Sequence, residues 1–315
     1  MMNNLESTPS VLSIQSHVVH GYVGNKAACF PLQTLGWNVD ILNTVNFSNH
    51  TGYGALKGTC STKEEILEIY KGLENINVQY DALLTGYVNG YQTLQAVGEI
   101  CISIKRKSIE NQKRIFWMLD PVMGDEGRLY VEENVIPVYR TLLESRLVDA
   151  ITPNQYELEL LIEQKITCLK TLKKALILFQ NRYKVKHVIL STLFASQFED
   201  LDGGADTLYC CVSSESLERL VLFKINKIEG YFTGVGDLFS ALLLDRLSKS
   251  LDVVRCVNEA LSVMKRVLTT TKSLSTATGK IGSLAMRDCE LRVIESKQYY
   301  ELHDELYEPL FIDKY

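Results

Sequence analysis

The sequence predicts an α/β protein with a mostly parallel central sheet and helices on both faces. Short apolar runs rich in β-branched residues alternate with longer segments of helical period, in the order β-α-β-α. This alternation favours a parallel sheet, because a helix returns the chain to the end of the sheet where the next parallel strand must begin. Ligands of such sheets bind beyond the carboxyl ends of the strands, so functional residues are expected just after strands.

The predicted strands are short apolar runs bounded by polar or glycine-containing segments. They cover residues 11–15, 39–45, 82–86, 115–120, 150–152, 187–191, 208–212 and 222–228. The first predicted helix opens at the capping-box pattern 61–64, and apolar residues at 66, 69, 70 and 73 would share one face. Further helices are predicted at 92–104, 155–163, 169–182, 236–248 and 253–271. The glycine-containing acidic stretch 197–207 is expected to be a surface loop.

The composition is that of a globular protein, and we expect residues 1–315 to form one domain. Its 33 Lys and Arg against 38 Asp and Glu give a net charge of -5, without the basic cluster that nucleic acids or anionic membranes require. No apolar run approaches about 18 residues, and the first ten residues do not resemble a signal peptide. We therefore expect a cytoplasmic protein, with the nucleus as a second compartment. Its 8 scattered cysteines indicate reduced, mostly buried thiols.

A glycine turn provides the strongest local signal for chemistry. Gly234, Val235 and Gly236 precede Asp237 and an apolar helical run. Glycines allow several backbone N–H groups to face one point at a helix N-terminus, which suits a phosphate or a developing negative charge. Asp237 could accept a proton from an attacking hydroxyl. The alternative is an ordinary glycine turn with an aspartate near a helix start.

Carboxylates follow two other predicted strands. Asp120 and Asp125 come after the apolar run 115–119, where they could bind Mg²⁺ through oxygen and water or form an ordinary Asp-Pro turn. Thr152 ends the strand predicted at 150–152, and Asn154 and Glu157 follow it. Asn154 either caps the next helix or presents its amide at the same sheet edge.

Two segments near the N-terminus carry groups suited to a small polar ring. Ser16 and His17 come just past one predicted strand, and the segment 47–54 follows the next, with hydroxyl, imidazole and aromatic side chains. The histidines at 17, 20 and 50 could suggest zinc, but no carboxylate or thiol stands at supporting spacing. A shared pocket is the favoured interpretation.

In chain order, six motifs resemble those of the pyridoxal kinases, a family of the ribokinase-like superfamily. They are SIQSHVVHGYVGNK (13–26), NFSNHTGY (46–53), LTGY (84–87), DPVMGD (120–125), ITPNQYE (151–157) and GVGDLF (234–239). The first two are the specific ones, because the others occur in some form in sugar and hydroxymethylpyrimidine kinases.

The resemblance implies transfer of the ATP γ-phosphoryl group to the 5'-hydroxymethyl of a B6 vitamer, with Mg²⁺, a possible K⁺ requirement and a homodimeric assembly. It assigns the base to Asp237 and the anion hole to Gly234 and Gly236. Ser16, Thr51 and Tyr87 fall at vitamer-contacting positions. Metal or phosphate-organising positions fall on Asp120, Asp125, Thr152 and Glu157, and nucleotide-contacting positions on Asn154, Ser191, Thr192, Ile228 and Val235.

A departure at the glycine turn bears on activity. Val235 stands where relatives usually have threonine, so a hydroxyl that could contact the phosphates is absent, and weakened ATP use is expected. A kinase-like vitamer carrier is therefore one alternative, and a hydroxymethylpyrimidine or sugar kinase is another. Retention of Asp237 and both glycines favours a working kinase over a carrier, and the segments around Ser16 and Thr51 favour a B6 vitamer as substrate.

Overall fold

A computed structural model describes residues 8–275 and 282–314. Residues 1–7, part of the segment in which no signal peptide was expected, lie outside the described residues. Among the described helices, none combines the length and apolar character needed to cross a membrane.

The described strands form one ten-stranded sheet and a small two-stranded ribbon. The strands are β1 (Ser10–Val18), β2 (Asn38–Phe47), β3 (Gly58–Cys60), β4 (Ala82–Thr85), β5 (Phe116–Leu119), β6 (Gly124–Asp125), β7 (Arg128–Leu129), β8 (Ala150–Ile151), β9 (His187–Phe194), β10 (Thr207–Ser214), β11 (Arg219–Asn226) and β12 (Pro309–Asp313). The large sheet has the order β12-β11-β10-β9-β8-β5-β4-β1-β2-β3, and β6 pairs with β7.

The helices lie between these strands. They are α1 (Asn25–Thr34), α2 (Lys63–Asn75), α3 (Tyr91–Glu110), α4 (Val135–Glu144), α5 (Gln155–Ile162), α6 (Leu169–Tyr183), α7 (Val235–Lys249), α8 (Val253–Leu274) and α9 (Ser283–Asp288).

The predicted architecture is confirmed. The central strands β2, β1, β4, β5, β8 and β9 are parallel, whereas β3 and the series β10 to β12 add antiparallel pairs at the two edges. Helices cover both faces, and each face has its own apolar core. One core packs α2 to α6 against the sheet, and the other packs α1, α7, α8 and residues 291–300 against the opposite face.

Some predicted boundaries were wrong. The capping box of α2 is formed by Thr62 and Glu65, one residue later than predicted, because Thr62 adopts the extended cap conformation. Ile69, expected on the buried face of α2, is 51% exposed, while Ile66 is fully buried. The strand predicted at 222–228 is β11, which ends at Asn226, so Ile228 lies beyond it.

Candidate active site

The ends of parallel strands bring several predicted site residues to one edge of the sheet. Asp120 follows β5 directly and Thr152 follows β8 directly, while Tyr87 lies two residues beyond β4. Ser16 lies near the end of β1 and not after it. Because β1, β4, β5 and β8 are parallel, these residues share the carboxyl edge, as expected from the fold.

The glycine turn begins α7 and places Asp237 in its first turn. Gly234 adopts the left-handed region, with φ of 77°, immediately before the helix. Asp237 is half-buried, and its carboxylate accepts a hydrogen bond from the backbone N–H of Gly24. Burial raises the pKa of Asp237, although the Gly24 donor acts in the opposite direction. The turn therefore presents a carboxylate that is a stronger proton acceptor than an ordinary aspartate.

Asp120 lies beside the same turn and is almost completely buried. A β-carbon placed on Gly236 would lie 3.5 Å from Oδ2 of Asp120. The hydroxyl of Ser240 donates to that oxygen at 3.2 Å and lies 2.9 Å from the hydroxyl of Thr152. Burial raises the pKa of Asp120 well above its usual range, and the nearby carboxylates of Glu157 and Asp237 raise it further.

Glu157 and Asn154 form a reciprocal cap at the start of α5. The side-chain oxygen of Asn154 accepts from the N–H of Glu157 at 2.9 Å, and Glu157 accepts from the N–H of Asn154 at 2.9 Å. Asn154 also donates to the carbonyl of Gly124 at 2.7 Å. The capping interpretation of Asn154 is thus correct in this structure, and both ends of its amide make a hydrogen bond within the protein.

Glu157 also holds the loop that follows β5. Its Oε1 accepts from the N–H groups of Met123 at 2.9 Å and Gly124 at 3.4 Å. Burial raises the pKa of Glu157 to about 8 against the effect of these donors. Asp125 lies on the adjacent ribbon and accepts from the N–H of Glu126 at 2.8 Å, and burial raises its pKa as well.

The residues expected to contact a vitamer lie on β1 and on the segments that follow β2 and β4. Ser16 packs against Gly24, because a β-carbon on Gly24 would overlap the carbonyl and hydroxyl oxygens of Ser16. Tyr87 is half-buried, and its carbonyl accepts from the hydroxyl of Thr44 at 2.7 Å. Thr51 is exposed on a short 3-10 turn, Thr51–Tyr53. Gly24 thus connects Ser16 with Asp237.

The residues expected to contact a nucleotide are more dispersed. Ser191 and Thr192 lie within β9 and are half-buried. Ile228 lines a cavity of about 490 Å³ together with Thr269 of α8 and Tyr307. Val235 is half-buried and packs against the core around α7 and α8.

Sequence reasoning missed three residues that organise the site. Ser240 stands one helical turn beyond Asp237, so the helical period could have indicated it. Gly24 lies within the motif at residues 13–26, but no local sequence pattern indicates that its N–H reaches Asp237. Glu290, which contacts Tyr22 and Tyr53, carries no local signal because it lies 268 and 237 residues from them.

Among the residues that the structure describes, the carboxylates at this edge have no cationic partner. Within the described ranges, Asp120, Glu157 and Asp237 form no ion pair with a Lys, Arg or His side chain. The same ranges contain no group of three or more His, Cys, Asp or Glu arranged to hold a metal ion. Concentrated, unpaired carboxylates favour a ligand that brings positive charge, whether as a metal or as a proton.

Comparison with known proteins identifies the family of this chain. A family profile described as phosphomethylpyrimidine kinase matches residues 74–282. The BUD16 protein of Saccharomyces cerevisiae is 45% identical over 308 residues, with 93% of this chain and 95% of the relative covered. The pyridoxal kinase of Ovis aries is 36% identical over 311 residues, with 94% and 96% covered.

A solved structure has the same fold as this chain. Pyridoxal kinase from Leishmania donovani, in complex with ADP and pyridoxine, superposes with a TM-score of 0.83 at 32% identity, covering 96% of this chain and 98% of the other. The fold and these similarities agree, and the chain belongs to the pyridoxal kinase family of the ribokinase-like superfamily.

Proposed function

We propose that this chain transfers the γ-phosphoryl group of ATP to the 5'-hydroxymethyl oxygen of pyridoxal, pyridoxine and pyridoxamine. The observation that carries the proposal is the position of Asp237, a half-buried carboxylate in the first turn of α7 beside the glycine turn and Asp120. The relatives named as pyridoxal kinases, and the structure that holds ADP and pyridoxine, support this substrate class.

Asp237 would accept the proton of the substrate hydroxyl. As the O–H bond breaks, the hydroxymethyl oxygen forms a bond to the γ-phosphorus, and the bond between that phosphorus and the β–γ bridging oxygen breaks to release ADP. The raised pKa of Asp237 makes it a better proton acceptor, and the Gly24 N–H holds its carboxylate in place.

The glycine turn would stabilise the negative charge of the phosphoryl group in the transition state. The backbone N–H groups at the start of α7 have no partner within the helix, and the helix N-terminus carries partial positive charge. Phosphoryl transfer depends mainly on positioning and charge stabilisation, which this turn supplies without further chemistry.

A divalent cation fits the donor set. Mg²⁺ prefers oxygen ligands and is usually held by one or two carboxylates, water and substrate phosphates, so a complete protein cage is not required. Asp120 is the best candidate ligand, because both oxygens of Glu157 already accept backbone hydrogen bonds. When bound, the ion would neutralise phosphate charge. Asp125, Thr152 and Glu157 would organise the surrounding shell.

The assembly and location of the protein are also proposed. A homodimer is expected from the resemblance to pyridoxal kinases. Light scattering coupled to size-exclusion chromatography tests it by measuring the molar mass in solution. Cytoplasmic and nuclear location are expected from the sequence, and imaging of a tagged full chain tests them.

The decisive experiment measures ADP release by the purified protein with pyridoxal, pyridoxine, pyridoxamine, hydroxymethylpyrimidine and ribose. We expect release with at least one vitamer, dependent on MgATP and compared in K⁺ and Na⁺ buffers. If no vitamer releases ADP but one binds by calorimetry, the carrier function replaces the kinase function. Turnover of hydroxymethylpyrimidine or ribose alone would indicate a related kinase.

A further inference from the structure

Glu290 is a buried carboxylate outside all the motifs of the site. It follows α9 and is only 6% exposed. The proton transfer described above does not use it. Its surroundings nevertheless join the segment that carries Thr51 to Thr233, the residue before the glycine turn.

Both oxygens of Glu290 are held by donors from distant parts of the chain. Oε2 accepts from the backbone N–H of Tyr22 at 2.8 Å. Oε1 accepts from the hydroxyl of Tyr53 at 3.0 Å and lies 3.2 Å from Nε2 of His50. Nδ1 of His50 accepts from the N–H of Gly52, which fixes the ring with Nε2 beside Glu290.

These donors favour the ionised form of the carboxyl group. Burial alone would raise the pKa of Glu290, but His50, the Tyr22 N–H and Tyr53 outweigh it, and the pKa is lowered. The side chain is therefore a buried negative charge that is satisfied only while three segments stay together.

The backbone of Glu290 makes the fourth connection. Glu290 forms a parallel β-bridge with Thr233, the residue before Gly234. Tyr22 contributes to the same junction, because a β-carbon on Gly234 would overlap its carbonyl oxygen. Glu290 thus contacts both the loop after β1 and the residue that precedes the glycine turn.

The 3-10 turn is clamped from a second direction. Gly52 is enclosed by Met286 of α9 and by the His50 ring, so a β-carbon there would lie 2.7 Å from Met286 and 2.8 Å from His50. The segment from α9 to Glu290 therefore fixes the backbone next to Thr51 while leaving the Thr51 side chain exposed.

We propose that Glu290 is a positioning residue that holds the Thr51–Tyr53 turn in register with the glycine turn, so that a bound vitamer presents its hydroxymethyl group to Asp237. Glu290 itself would touch neither substrate. The inference rests on the proposed function, because it assumes that the Thr51 turn contacts a vitamer.

The test compares Glu290→Gln with Tyr53→Phe and with the matched control Glu301→Gln, which makes the same change at an exposed position. In Glu290→Gln, the new amide N–H groups would face groups that themselves donate hydrogen bonds. Tyr53→Phe removes one of those donors and preserves the rest. Calorimetry gives Kd for pyridoxine and for ADP, steady-state kinetics gives kcat and KM for the vitamer, and thermal unfolding gives Tm.

We expect Glu290→Gln to weaken pyridoxine binding and lower kcat by at least tenfold each, while Kd for ADP changes less than twofold. Tyr53→Phe should move the same constants in the same direction by a smaller factor, and Glu301→Gln should match wild type. Equal losses of vitamer and ADP binding in both Glu290→Gln and Tyr53→Phe, with a lower Tm, would assign Glu290 a purely structural role.

The outcome also separates this inference from the function on which it rests. If wild type phosphorylates a vitamer and Glu290→Gln behaves like Glu301→Gln, only the positioning role is wrong. If wild type binds no vitamer, both fail together. If wild type binds a vitamer without phosphorylating it, the kinase function fails, and the Kd values still decide the role of Glu290.

Discussion

The α-carbon of Gly234 faces the carbonyl oxygen of Tyr22 so closely that a β-carbon at position 234 would overlap that oxygen. The contact joins the loop after β1 to the start of α7, and the obstructing atom belongs to the backbone, which cannot rotate away. Gly234 also has φ of 77°, in the left-handed region. Two independent constraints therefore require glycine here.

Gly234→Ala should lower kcat/KM at least a hundredfold, because the turn must open to admit the methyl group. The backbone N–H groups of the turn then no longer point to one position. Gly36→Ala is the control for backbone conformation alone, since Gly36 has φ of 90° with no atom near an added β-carbon. Left-handed alanine costs roughly 1 to 2 kcal/mol, which thermal unfolding should detect in both variants. Wild-type kinetics in Gly234→Ala would contradict the anion-hole assignment.

Asp237→Asn should lower kcat by about 10² to 10⁴ while pyridoxine binding stays close to wild type, because the proton acceptor is lost. The amide oxygen of asparagine can still accept the Gly24 hydrogen bond, so folding should be preserved. Steady-state kinetics and calorimetry measure the two effects separately. Full activity would remove Asp237 from the mechanism, and loss of both binding and folding would assign it a structural role at the helix start.

The pH dependence of wild type provides a companion measurement. Burial raises the pKa of Asp237, and only its deprotonated form can accept a proton. As pH falls through that raised pKa, kcat/KM should fall, at a higher pH than an ordinary aspartate would give. The residual activity of Asp237→Asn should lack this acid limb, and an unchanged limb would assign it to another group.

Val235→Thr should raise kcat/KM for ATP-dependent phosphorylation by about tenfold if a new hydrogen bond to a phosphoryl oxygen contributes about 1.4 kcal/mol in the transition state. The residue is half-buried against the core, but threonine keeps one of the two methyl groups that make this packing. Val235→Ala is the control, because it removes both methyls and adds no hydroxyl. Lower Tm with unchanged or reduced kcat/KM in Val235→Thr would mean that valine is required for packing.

His187 should make stability depend on pH in the mildly acidic range. Burial lowers its pKa from 6.5 to about 4. Below pH 6.5 the His187 imidazole binds a proton in the unfolded chain but stays neutral in the folded protein. The free energy of unfolding should therefore fall as pH decreases toward 4. Denaturant unfolding of wild type and His187→Gln should show a relative loss of about 2 kcal/mol in wild type between pH 7 and pH 5. Parallel pH profiles for the two proteins would contradict a buried neutral histidine.

The central strands were predictable because parallel strands buried on both faces are continuous apolar runs, as 82–85 and 116–119 show. Other elements lack such signals. The helix α1 contains Pro31 and follows a glycine without a side-chain cap, so its start resembles a loop. The strand β12 begins at a proline and has mostly exposed side chains, which gives no buried pattern to recognise.

The same distinction holds within the site. Asp120, Thr152 and Asp237 were predictable because each stands where a strand or glycine turn ends, so chain order specifies their place. The Gly24 N–H, the Ser240 hydroxyl and Glu290 act through contacts between distant segments. Such contacts depend on the packing of whole elements, and no local pattern encodes them.

The second apolar core has a consequence for folding during synthesis. Leu291, Val293 and Tyr300 are fully buried in it, and they follow α1, α7 and α8 in the chain. A ribosome therefore releases the other helices of that face before the residues that close it. Until those residues emerge, the face exposes apolar surface on which a nascent chain can aggregate. The fully buried residues of the other core end at Leu222, so the two sides of one sheet should become protected at different times.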